Sequence, residues 1–116
     1  MKSLTAYLVL FMLMVNVSFA QQIEPTFEKQ NDLVKATYYY ENGTIKEVGF
    51  FKDDKLHKQW ISYNKEGKIK VVAIYDNGVK NGKWYIVGED HVKEVTYKSN
   101  KIIKVEKVDE SEVSFI

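Results

Sequence analysis

The sequence contains no cysteine and no arginine, and it has only one proline and two histidines. Without cysteine, no disulfide can stabilise the chain and no thiol can serve as a nucleophile. Without arginine, it lacks the side chain that best clamps a phosphate or carboxylate through two parallel hydrogen bonds. The six glycines are dispersed, so we expect them to form turns and not a phosphate-binding loop.

The charge balance excludes further classes of partner. The chain has 17 lysines against 16 acidic residues, and removing Lys2 with the N-terminal segment described next makes the remainder formally neutral. A neutral chain lacks the basic stripe that nucleic acid or an anionic membrane surface requires. His57 and His91 are far apart in the sequence, and no cysteine assists them toward a zinc site. We expect no metal and no cofactor.

The N-terminal segment is typical of an export signal. Lys2 precedes an apolar run over residues 4–15, and Ser18 and Ala20 match the small residues that signal peptidase recognises. We predict a signal peptide over residues 1–20, cleaved before Gln21. The alternative is a membrane anchor, but the apolar run is shorter than the ~20 residues that span a bilayer. The mature protein is therefore expected to be periplasmic or secreted, with no membrane span after cleavage.

A repeat follows this segment, and the spacing between Trp60 and Trp84 gives its 24-residue period. The same offset pairs Gly43 with Gly67, Ile45 with Ile69, Lys46 with Lys70, Val48 with Val72, Phe50 with Ile74 and Phe51 with Tyr75. A degraded third copy follows if the register shortens by one residue, and Tyr97 then takes the place of Phe50 and Ile74. Terminal repeats are usually atypical because one side faces solvent.

Turn residues divide each copy into short strands. Asn42-Gly43 and Asn77-Gly78 are typical of a type I′ turn, in which both central residues have positive φ. The predicted strands, rich in Val, Ile and aromatic residues, are 34–40, 45–51, 55–63, 69–75, 79–87, 92–98 and 101–108. The predicted fold is all-β, an antiparallel β-meander of tandem 24-residue hairpin repeats in a single small domain over residues 33–108. A flexible segment, 21–32, precedes this domain, and a loose acidic tail, 109–116, follows it.

Two stretches carry a family resemblance. The first copy contains Tyr39-Tyr40-Glu41-Asn42-Gly43, Ile45-Lys46, Gly49-Phe50-Phe51 and Trp60, and the second closes with Asp76-Asn77-Gly78-Val79-Lys80-Asn81-Gly82-Lys83-Trp84. The pattern resembles the variant MORN repeat of bacterial tandem arrays, over about residues 34–104. The first copy departs from it, because Asp54 and Lys58 stand where the second copy has Gly78 and Gly82. The resemblance implies a β-meander scaffold for binding or assembly, and some relatives are described as antitoxin-like.

The resemblance also raises an enzyme as the alternative. Similar short exported chains carry the label nicotinate mononucleotide adenylyltransferase, which implies nucleotidyl transfer. Such an enzyme is expected to contain a nucleotide-binding α/β domain and a His-x-Gly-His phosphate motif. Neither His57 nor His91 neighbours a glycine in that pattern. The acidic pairs Asp53-Asp54 and Glu89-Asp90 are interpreted as turn residues. We therefore predict no catalytic site.

Aromatic residues supply the candidate interaction surface. On a sheet, a row of rings either forms the core of the repeat or contacts a partner. The sequence leaves both alternatives open. The candidate residues are Val34, Tyr38, Tyr40, Phe51, Trp60, Tyr75 and Trp84. The expected partner is a protein or a cell-envelope component.

The edges of the sheet suggest where a partner docks, because edge strands carry unpaired backbone groups. The N-terminal edge, 33–40, has Lys35 as its only charge, whereas the C-terminal edge, 101–108, carries four. We predict docking at the N-terminal end, through Val34, Tyr38 and Tyr40 or through their neighbours on the opposite face. The alternative is that residues 21–32 fold back over this edge, with Ile23 and Phe27 as apolar anchors.

Overall fold

The computed structural model describes residues 22–114. The predicted signal peptide lies outside them. The described residues form one antiparallel sheet, as predicted, and it has nine strands where seven were predicted. The strands are β1 Thr26–Gln30, β2 Leu33–Tyr39, β3 Ile45–Lys52, β4 Lys55–Tyr63, β5 Ile69–Asp76, β6 Val79–Lys80, β7 Gly82–Val87, β8 Val92–Lys98 and β9 Lys101–Val108. A short 3-10 helix, Glu110–Glu112, follows in the predicted acidic tail.

The sheet is an open meander. Its strand order is β1-β2-β3-β4-β5-β7-β8-β9, with the short β6 pairing with β5 alongside. The predicted strand 79–87 is divided into β6 and β7. The chain bends there because Asn81 donates its N–H to the Ile74 carbonyl at 3.3 Å and Gly82 has a φ of +101°. The other predicted strands agree with the structure to within one residue at each end.

Strand β1 was not predicted. Residues 21–32 were expected to be a flexible segment, but Thr26–Gln30 pairs antiparallel with β2 over its whole length. Asn31, at a φ of +57°, lies in the turn that joins them. Phe27 packs edge-on against Tyr38, with ring centroids 6.3 Å apart. The structure therefore has the alternative arrangement, in which this segment covers the β2 edge.

The turns differ from one another more than their sequences suggest. Asn77 and Gly78 have φ of +47° and +83°, as the type I′ prediction requires. At Asn42-Gly43 only the glycine is positive, at +90°, so the type I′ prediction is wrong there. Instead, Gly43 donates its N–H to the Tyr40 carbonyl at 3.0 Å, and the Asn42 side chain accepts from the Thr44 N–H at 3.1 Å.

Hydrogen bonds follow the period of the repeat. The Tyr40 N–H donates to the Thr44 carbonyl at 2.8 Å, and Asn64, its equivalent in the second copy, donates to the Lys68 carbonyl at the same distance. The corresponding bond of the third copy joins the Gly88 N–H to a carbonyl only three residues away, that of His91, at 2.9 Å. This turn is one residue shorter, as predicted.

The third copy is shortened a second time. The pairings of β2 with β3 and of β4 with β5 each contain a bulge at their turn end, whereas that of β7 with β8 runs without a shift. As a result Tyr97 lies opposite Gly82, as Tyr75 lies opposite Lys58. Tyr97 is therefore the equivalent of Tyr75, and its predicted alignment with Ile74 is wrong.

Candidate interaction surface

Both tryptophans lie on one face of the sheet. Trp60 lies opposite Ala73 on β5. Two residues before Ala73, Val71 lies opposite Ile86 on β7, and Ile86 is two residues from Trp84. Opposite residues share a face, as do residues two apart along a strand. We call this side of the sheet the tryptophan face.

Trp60 is held by two rings and one hydrogen bond. Phe51 meets it edge-on, with centroids 5.1 Å apart, and Tyr38 lies on its other side at 6.4 Å. Its indole Nε1–H donates to the Phe50 carbonyl at 2.9 Å. The side chain is only 4% exposed, so its polar atom is satisfied within the sheet.

Trp84 has the same arrangement in the second copy. Tyr75 and Tyr97 flank its ring at centroid distances of 5.2 and 4.8 Å. Its Nε1–H donates to the Ile74 carbonyl at 2.9 Å, the equivalent of the bond made by Trp60. The two tryptophans therefore occupy equivalent packed positions, as the repeat predicted.

Small residues make room for the indole rings. A Cβ on Gly49 would lie 2.0 Å from Trp60 Cδ2, so only glycine allows the ring to rest on this part of β3. Ala36, opposite Gly49, is fully buried, and Ala73 is the equivalent of Gly49 in the second copy. The expectation that every glycine forms a turn is therefore wrong for Gly49, which serves packing.

The other candidate residues surround these two sites. Tyr38, Phe51 and Tyr75 are half-buried and pack against the core cluster. Val34 is half-buried opposite Phe51. Tyr40, just beyond β2, donates its hydroxyl to the Tyr63 carbonyl at 2.6 Å. The rings are thus both core and surface, because the tryptophans are buried and their aromatic neighbours are partly exposed.

Strand β1 covers residues 33–37 of the predicted docking edge, 33–40. Strand β1 pairs with β2 along the segment that contains Val34. The terminal strands of the sheet are instead β1 and β9. Val34 is therefore available to a partner only through the tryptophan face, whereas Tyr38 and Tyr40 lie beyond the paired segment.

A lysine lies against the aromatic rings of the second copy, and the sequence analysis did not identify it. Lys80 places its ammonium 5.1 Å from the Trp84 ring centroid and 5.3 Å from that of Tyr97. Both distances are within the range of a cation–π interaction. In the first copy the equivalent position is Leu56, which packs against the core cluster. The repeat aligns Lys80 with the apolar Leu56, and this alignment could have indicated that Lys80 lies beside the tryptophan.

Glu47 is an acidic group whose charge acts on the Tyr75 ring. It lies opposite Tyr38 on one side and Ser62 on the other, which places it on the tryptophan face. Burial raises the pKa of its carboxyl above the ordinary value, and the neighbouring Lys46 opposes part of that rise. Burial also raises the pKa of the Tyr75 phenol, and the charges of Glu47 and Tyr97 add to the rise.

The two histidines support turns. His57 accepts the Asn77 N–H on its Nδ1 at 3.1 Å, next to the type I′ turn. His91 contacts the Asp90 carboxylate at 2.6 Å and lowers its pKa. Within residues 22–114, no group of three or more His, Cys, Asp or Glu side chains is placed to hold a metal ion.

A shallow depression lies between two turns at one end of the strands, with a volume of about 780 Å³. Its lining includes two lysines, Lys68 and Lys70, and two glutamates, Glu89 and Glu110. Its charges are balanced and its lining is mostly turn residues, so its composition does not define a ligand class. The sequence did not indicate this depression, because it depends on which turns lie side by side.

Comparisons with protein-family models, with curated proteins and with solved structures give no match. Within the described part of the chain, no helix is long and apolar enough to cross a membrane. The class of protein that the fold and the site define is an antiparallel β-meander built on repeated tryptophan sites.

Proposed function

We propose that the chain is an exported, non-catalytic β-repeat module of the variant MORN type, which binds a protein or a cell-envelope component through its tryptophan face. The observation that carries this proposal is the open sheet, in which half-buried rings surround two buried tryptophans. Aromatic rings anchored in this way offer large apolar contacts at little entropic cost, because packing has already restricted their rotamers.

The chemistry of the face supports a polar partner with apolar patches. Both indole N–H groups are already bonded to backbone carbonyls, so the buried tryptophans offer a partner no hydrogen bond. The contact area comes from the half-buried rings of Tyr38, Phe51 and Tyr75. Lys80 and Glu47 add one charge of each sign beside the rings. Aromatic residues surrounded by scattered charges are typical of protein–protein contact surfaces.

Site-specific cross-linking tests the proposal. A photoreactive phenylalanine analogue replaces Phe51 or Tyr75 on the tryptophan face, and Lys83 on the opposite face as the matched control. We expect the first two variants to cross-link one common component of the native envelope, and Lys83 not to do so. Cross-linking from Lys83 alone, or equal cross-linking from all three positions, contradicts the proposal.

A second assay addresses the enzymatic alternative. The purified mature chain is incubated with ATP, magnesium and nicotinate mononucleotide, and pyrophosphate is measured. We expect no release above background. Release at or above one equivalent per chain would replace the binding function with nucleotidyl transfer.

A further inference from the structure

Strand β9 ends the sheet with an exposed and partly apolar edge. Seven of its eight residues are exposed, and among them Ile102, Ile103 and Val105 are 57%, 61% and 57% exposed. Among the described strands, β9 pairs only with β8, so its outer backbone groups have no strand partner. Unpaired edges of this kind readily accept another strand.

The tryptophan face continues onto this strand. Val105 lies opposite Val95, and Val95 lies opposite Trp84. Lys104 and Glu106 lie on the other face, opposite Thr96 and Glu94, and they form an ion pair of 2.9 Å. Val105 therefore exposes the end of the apolar row that begins at the buried tryptophan.

We propose that β9 pairs antiparallel with β9 of a second copy of this chain, about a two-fold axis at Val105. This register places Val105 opposite its own counterpart and Lys104 opposite Glu106 of the second copy. Ile103 is the extra residue of a bulge in the pairing of β9 with β8, so we expect the regular pairing with the second copy to centre on residues 104–106.

Charge selects this register over its neighbours. Directly opposite residues must share a face, so the axis can move only by whole residues along the strand. An axis at Lys104 places that lysine opposite its own counterpart. An axis at Glu106 places two glutamates together. Because like charges directly opposite destabilise a strand pair, the Val105 axis is favoured.

The other edge is a poorer partner. Strand β1 has only five residues, and Pro25 directly before it has no N–H with which to extend a ladder. Pairing of β9 with β1 of another copy can match Lys104 with Glu28. It leaves one β1 and one β9 unpaired at the two ends of the assembly, so further copies can add without limit. The symmetric pair closes after two copies.

Self-association is independent of the proposed partner and uses a different part of the sheet. A single strand pair is a small interface, so we expect a weak dimer that dissociates on dilution. Because ion pairs flank the axis on both sides, added salt should weaken the dimer.

Sedimentation velocity on residues 21–116 tests the proposal through charge reversal. We expect a concentration-dependent dimer in the unmodified chain. Glu106→Lys should weaken it at least tenfold, and adding Lys104→Glu to that variant should restore it, because the opposite charges face each other again. Glu28→Lys on β1 is the matched control and should leave the dimer unchanged.

Cysteine cross-linking provides a second measurement, made simple by the absence of native cysteine. Under mild oxidation, Val105→Cys should give a covalent dimer, because side chains at the axis approach within disulfide reach. Ile86→Cys, also exposed but remote from the edge, should not. A monomer at every concentration, open-ended oligomers, or loss of association in Glu28→Lys alone would each overturn the proposal.

Discussion

Two equivalent positions of the repeat share an unusual backbone conformation with different residues. Lys58 has a φ of +60°, and Gly82, its equivalent in the second copy, has a φ of +101°. An L-residue in the left-handed region loses about 1–2 kcal/mol, whereas glycine does not. Glycine at the same position lowers the free energy of unfolding by about 0.5–1 kcal/mol, because it makes the unfolded chain more flexible. Lys58→Gly should therefore stabilise the protein by about 0.5–1 kcal/mol.

The reciprocal change should have the opposite sign. A Cβ on Gly82 would meet no atom closer than 3.7 Å, so Gly82→Lys is penalised by its backbone and not by a clash. We expect a loss of about 0.5–1 kcal/mol from the same two terms. Lys65→Gly is the control, because Lys65 is an exposed turn lysine outside the set of positive-φ residues. The Lys65→Gly variant should lose stability, because glycine gives no backbone benefit at a position with negative φ.

Urea unfolding followed by tryptophan fluorescence measures all three variants. A gain of about 0.5–1 kcal/mol in Lys58→Gly corresponds to a rise in Tm of roughly 2–8 °C for a domain of this size. If Lys58→Gly loses stability as Lys65→Gly does, the left-handed conformation at this position is refuted.

Further predictions follow from the tryptophan face and from the N-terminal segment. Gly49→Ala should destabilise the fold by about 1–3 kcal/mol through overpacking, since its Cβ would lie 2.0 Å from an atom of Trp60; unchanged stability in urea would contradict this packing. Trp60→Ala and Trp84→Ala should each cost about 3–5 kcal/mol as buried aromatic residues, and much smaller losses in the same assay would mean that the rings are exposed. Burial raises the Glu47 pKa, so the folded state favours the protonated acid. The free energy of unfolding therefore falls as the pH rises from 4.5, the ordinary pKa, through the higher pKa of the folded state. Glu47→Gln should therefore be more stable than the natural chain at pH 7, with the gain vanishing below pH 4.5, and an equal gain at both pH values in urea unfolding would contradict the assignment. Mass spectrometry of the exported protein should show Gln21 as its first residue, and an intact residue 1 in a membrane fraction would refute cleavage.

Most of the fold could be predicted because its signals are local. Turn pairs such as Asp53-Asp54 and Asn77-Gly78 determine where strands end, and they lie within a few residues of the strands they join. The period of the repeat added the equivalence of Trp60 with Trp84. That equivalence extends to their hydrogen bonds with backbone carbonyls.

The errors came from interactions that cross the sheet. Strand β1 has no apolar alternation beyond Phe27, and it forms because β2 offers an edge. The role of Gly49 depends on where the Trp60 ring lies, on the neighbouring strand. The position of Tyr97 depends on a bulge that is absent in the third copy, and a bulge is defined by pairing and not by sequence alone.

The candidate surface was predicted only as a set of residues. The sequence identified Phe51, Tyr75 and the two tryptophans, but it could not separate core from surface residues. Both faces of a sheet can carry aromatic side chains. The separation requires knowing which rings lie beneath others. Lys80 was missed because a lysine in a strand is usually a solvated charge, whereas here it lies against two rings.

Hydroxyl-radical footprinting in the presence and absence of native envelope extract tests the use of the tryptophan face most directly. Tyr38 and Tyr75 lie on that face, and Tyr85 lies on the other, opposite Val72. We predict that the extract lowers the labelling of Tyr38 and Tyr75 and leaves that of Tyr85 unchanged. Protection of Tyr85 alone, or equal labelling of all three with and without extract, would contradict binding through the tryptophan face.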